Sequence, residues 1–90
     1  MAQQVLLAVD TDPEILTATE RDLSRRFADY RIVTGNTPEA AFAELDIGDQ
    51  VALVMAGQSL TDTTGVDFLT ACHQLHPAAK RLLLITHGDI

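Results

Sequence analysis

The stretch Val51-Ala52-Leu53-Val54-Met55-Ala56-Gly57-Gln58-Ser59-Leu60-Thr61-Asp62-Thr63-Thr64-Gly65 decides the fold. Its first six residues form an apolar run, too short to cross a membrane and β-branched enough for a buried strand. Gly57 breaks the run, and a polar loop follows. In an open α/β sheet the loop after a central strand is where chemistry gathers, because the crevice lies at the carboxyl ends of the strands. Here the residue that opens the loop is a glycine, which supplies no acid, base or nucleophile.

The flanking segments supply the rest of such a sheet. Gln4 to Val9 reads as a first buried strand. Asp12 then suits a helix N-cap, Pro13 the first helical position, where a missing N–H costs nothing, and Glu14 the positive end of the helix dipole. The helix is expected to run to about Phe27, with Leu16, Leu23 and Phe27 on one face. Tyr30 to Thr34 is a second strand, broken by Gly35-Asn36. Thr37-Pro38-Glu39 repeats the cap-proline-acid start, and the second helix continues through Ala40 to Leu45. A loop over 46–50 leads into the third strand. After the Gly57 loop a third helix starts at Thr64 or Gly65, carries Val66, Phe68, Leu69, Cys72 and Leu75, and is ended by Pro77, which pushes its predecessor out of helical geometry. Arg81 to Ile85 is a fourth strand. The order β-α-β-α-β-α-β implies an α/β, doubly wound parallel sheet with right-handed crossovers and helices on both faces. The last strand is a hydrophobic edge in need of cover. The expectation is therefore one domain over 1–90 that is either part of a longer protein or completed by a partner chain.

Composition narrows the function classes. A chain of 90 residues holds one modest core, since a domain of this size buries roughly 60–70% of its unfolded surface. Hydrophobic residues make up 47% and aromatics 4%, so the core must be aliphatic. A net charge of −7 argues against nucleic acid and against an anionic membrane surface, because no basic stripe is available to neutralise phosphates. The single cysteine, Cys72, excludes an internal disulfide and fits a small buried residue in a reducing cytosol. With no signal peptide and no membrane-length apolar run, a soluble cytoplasmic protein is expected.

Three strings, VLLAVDTDPEIL (5–16), VALVMAGQSLTDTTGVDFL (51–69) and RLLLITHGD (81–89), resemble the receiver domain of two-component response regulators. The resemblance spans nearly the whole chain, in the right order and spacing. It implies a flavodoxin-like parallel sheet in the order 2-1-3-4-5, of which this chain would supply four strands and three helices, without the last strand and last two helices. It also implies phosphoryl transfer from a histidine kinase to an aspartate, with Mg²⁺ held by an acidic cluster to offset charge on the phosphoryl oxygens. On that carry-over Asp10 matches the first acid after the first strand, and Thr11 stands where the second acid is usual. Gly57 stands at the phosphoacceptor position, which is vacant. Ser59-Leu60-Thr61 stands where a residue followed by Met-Pro is usual, and Thr86 matches the switch hydroxyl. The family's lysine belongs to a fifth strand, and Lys80, the only lysine, lies at the wrong end of the fourth.

Other candidates are weighed by chemistry. Asp10 and Asp12 are a vestigial acidic pair, and Mg²⁺ wants an octahedral set that two carboxylates do not complete. Asp62 or Ser59 could serve as a displaced acceptor, but Thr61-Asp62-Thr63-Thr64-Gly65 reads as turn chemistry. His73 and His76 share a helix face, and with His87 could suggest a metal or a phosphohistidine; no third ligand falls at a motif spacing, which favours solvated or capping roles. No Gly-rich phosphate loop occurs. The sequence thus reads as a degenerate (pseudo-)receiver, not an enzyme, without a cofactor. It is expected to act through protein contacts or self-association at the fourth-strand edge, with a fused output domain as one arrangement. The alternatives are a phosphoaccepting receiver using Asp62 or Ser59, and a small-ligand sensor in the vacated pocket.

Overall fold

The computed structural model describes residues 3–84. Strands β1 (Gln4–Val9), β2 (Arg31–Gly35), β3 (Gln50–Gly57) and β6 (Lys80–Leu84) form one sheet in the order β2-β1-β3-β6. All three pairings are parallel, with Leu7 opposite both Val33 and Val54, and Ala56 opposite Leu83. The register between β1 and β3 shifts after Val5, so that Leu6 pairs with Leu53 and Ala52 is the extra residue of the bulge. A separate two-stranded antiparallel ladder, β4 (Ser59–Leu60) with β5 (Thr63–Thr64), lies in the loop after β3. Sequence pattern does not predict this hairpin, because two-residue strands are too short to show a period.

Each helix starts where its cap chemistry places it. In α1 (Pro13–Arg26) the Asp12 carboxylate accepts from the Glu14 N–H at 2.9 Å. In α2 (Pro38–Ala43) the Thr37 hydroxyl accepts from Ala40 N–H, and in α3 (Gly65–Leu75) the Thr64 hydroxyl accepts from Asp67 N–H. Two ends differ from expectation. The second helix stops at Ala43, not Leu45, and Glu44 caps it. Phe27 is the C-cap of α1, not a member of its buried face, and is 41% exposed.

Alternation along the strands divides the core in two. Val5, Leu7, Val9, Val54 and Ala56 point toward α2 and α3, where they meet Ala41, Phe68, Leu69 and Cys72. Phe42 and Phe68 pack ring against ring at 5.7 Å, joining the two helices over this face. Leu6, Ala8 and Met55 point the other way, toward Leu16 and Leu23 of α1. Full burial of side chains such as Leu7, Val9 and Val54 contributes ~1.5–3 kcal/mol each, which makes the central strands the anchor of the fold. On the α1 side, cover thins toward β6: Leu53 and Leu84 are only half-buried, and Leu82 is 47% exposed. On α3, Val66 and Leu75 face outward although they are apolar. Among the described residues, no helix is long and apolar enough to cross a membrane.

Candidate functional site

The carboxyl ends of β1 and β3 lie side by side, and period 2 decides which side chains meet there. Val9 pairs with Ala56, so the next residues, Asp10 and Gly57, are neighbours on the α1 side of the sheet. The Asp10 N–H donates to the Gly35 carbonyl at 3.3 Å, extending the β1–β2 ladder by one residue. Asp10 is the only buried charged residue among those described, at 7% exposure. Its Oδ1 accepts from the Asp12 N–H at 3.0 Å, which folds the chain into the start of α1.

The other carboxylate oxygen of Asp10 covers Gly57. A β-carbon built on Gly57 would lie 2.6 Å from Asp10 Oδ2 and 2.9 Å from its Cγ. The position that the receiver resemblance reserves for an acceptor side chain is therefore occupied by the side chain of a neighbouring strand. Gly57 is also the last residue of β3, not the first of the loop. Its carbonyl packs against Gly65: a β-carbon on Gly65 would overlap the Gly57 oxygen and lie 2.7 Å from Leu83 Cδ1. The Gly65 N–H donates to the Gln58 carbonyl at 2.9 Å. Two glycines thus let the strand end, the Asp10 carboxylate and the start of α3 approach closely.

The remaining candidates are dispersed. The Asp12 side chain is exposed and engaged as the α1 cap. Thr11 is exposed. Ser59 is exposed in β4, and Asp62 sits at the hairpin turn with φ 65, a left-handed conformation that aspartate tolerates. His73 is exposed on α3, and His76 caps its end, its N–H donating to the Cys72 carbonyl at 2.7 Å. Thr86 and His87 lie outside the described residues. Among the described residues no three His, Cys, Asp or Glu side chains gather as a metal-binding group. Asp10 and Asp12 do not fit the Mg²⁺ that the resemblance implies: one carboxylate is turned onto Gly57 and Asp12 N–H, and the other onto the helix terminus.

One polar cluster has no counterpart in the sequence reading. The Arg31 guanidinium donates to Asp49 Oδ2 at 2.6 Å and to the Glu44 carbonyl, and lies 3.5 Å from Asp46 Oδ2. Asp49 Oδ2 also accepts from the Asp46 N–H. The fork ties the α2–β3 loop to the start of β2. Its members are 13 to 18 positions apart, beyond the reach of local pattern.

No family model and no curated protein matches the chain. Several solved structures do. The signal receiver domain of an HD domain-containing protein from Pseudomonas fluorescens Pf-5 is similar with a TM-score of 0.78 and 26% identity, over 99% of this chain and 63% of that one. A chemotaxis response regulator of Vibrio cholerae is similar with a TM-score of 0.73 and 21% identity, over 99% of this chain and 72% of that one. A structure of an adenylate cyclase from Rhodopirellula baltica is similar with a TM-score of 0.73 and 22% identity, over 99% and 63%. The chain thus spans less than two thirds of the length of the first and third of these structures. Its parallel β2-β1-β3-β6 sheet, its three flanking helices and these superpositions together give it the fold of a response regulator receiver domain.

Proposed function

We propose that the chain is a degenerate receiver: a cytoplasmic regulatory module of a phosphorelay-type signalling protein that works through protein contacts and does not accept a phosphoryl group. The observation that carries this reading is the Asp10–Gly57 contact. Phosphoryl transfer to a carboxylate needs an oxygen free to attack in line, with cations placed around the phosphoryl oxygens. Position 57 has no side chain, and the space beside it is filled by an acid held in place by a backbone N–H. The same contact speaks against a small-ligand pocket at that point. Ser59 and Asp62, on an exposed hairpin, lack the buried, pre-organised surroundings that such chemistry needs.

The partner surface in this reading is the β6 edge, used by a protein partner or by a second copy. Among the described residues no strand pairs with the outer side of β6. Its charges, Lys80 and Arg81, are at its start, and Leu82, Leu83 and Leu84 follow without a charge or proline to blunt the edge. The test is incubation with acetyl phosphate or phosphoramidate and Mg²⁺, followed by intact mass. An unmodified chain is the expected result. A stoichiometric phosphoryl adduct, mapped to Ser59 or Asp62, overturns the reading.

A further inference from the structure

We draw no further inference here: the strongest candidate, the outer edge of β2 with the open groove that Leu16, Ile32, Thr34 and Ala40 line along it between α1 and α2, carries nothing because nothing in the structure shows what covers it.

Discussion

The carboxylate of Asp10 covers Gly57, with Oδ2 placed 2.6 Å from where a β-carbon would be. A side chain at 57 therefore has to displace the end of the Asp10 side chain. A Gly57→Ala chain must turn Asp10 away and break its bond to the Asp12 N–H. In most strand positions alanine is the better residue, but here loss of that bond is expected to destabilise by ~1 kcal/mol. The check is a double-mutant cycle by chemical denaturation. In an Asp10→Ala background the same Gly57→Ala change is expected to be neutral or mildly stabilising, because the atoms it strikes are gone.

The same contact governs any attempt to place a carboxylate at position 57. Gly57→Asp points a second carboxylate at one that is already buried, and like charges at such separation disfavour joint ionisation. The expected outcome is no phosphoryl adduct with acetyl phosphate and Mg²⁺ by intact mass, together with a lower melting temperature than the parent. A Gly57→Asp chain that is modified stoichiometrically would show that Asp10 swings aside easily and that the scaffold kept its geometry.

Much of this arrangement can be read before any coordinates, and the limit is physical. Helix starts at Asp12, Thr37 and Thr64 follow from local hydrogen-bonding chemistry, strands β1 and β3 from unbroken apolar runs, and a parallel sheet from β-α alternation, while the strand order comes only with the receiver resemblance. Asp10 and Gly57 can be placed at adjacent strand ends in the same way. What local pattern cannot supply is the direction of the Asp10 side chain, which is set by a turn at Asp12 and by free space over a glycine from another strand. The Arg31 fork is illegible for a similar reason: a guanidinium, two carboxylates and a carbonyl meet only after β2, α2 and β3 are folded. Phe27 has helical spacing from Leu23, yet the helix has ended before it, so spacing alone misplaces it as core.

Asp12 carries a cap, and its removal should cost what caps cost. Asp12→Ala is expected to lower stability by ~1 kcal/mol and Asp12→Asn by no more than about 0.5 kcal/mol, because the amide oxygen accepts the same Glu14 N–H. Millimolar Mg²⁺ is expected to leave the melting temperature of the parent and of Asp12→Asn alike, as for a chain without a specific site. A Mg²⁺-dependent rise in the parent that Asp12→Asn abolishes would assign Asp12 to a cation instead.

Arg31 holds a loop by geometry as well as charge. Its side chain is 27% exposed, and it faces an Asp49 side chain that is 9% exposed. Arg31→Ala leaves that carboxylate with only the Asp46 N–H among the described residues, at an expected cost of ~1–2 kcal/mol once solvent screening is allowed for. Arg31→Lys is expected to recover only part of this. An ammonium cannot reproduce a planar fork that reaches the Asp49 carboxylate and the Glu44 carbonyl together. Denaturant midpoints of the two variants check it, and full recovery in the lysine variant would mean that charge alone holds the loop.

Cys72 gives a pH dependence with a definite sign. Burial against the sheet pushes its thiol up from the ordinary 9.0 to about 11. The folded chain therefore keeps the thiol proton where the unfolded chain has lost it. The contribution to stability is fully present below pH 9, declines as pH rises from about 9 to about 11, and is gone above that, a total of ~2–3 kcal/mol from a shift of this size. Other groups titrate in the same range, so the measurement is the difference between the parent and Cys72→Ala in urea unfolding from pH 7 to 11. That difference is expected to be flat up to about pH 8.5 and then to fall steadily against the parent. In parallel, alkylation of the native thiol at pH 8 should be slow and should accelerate only with unfolding, because the thiolate is the reactive form. A native thiol that reacts as fast as free cysteine would place Cys72 at the surface and remove the basis for the pH dependence.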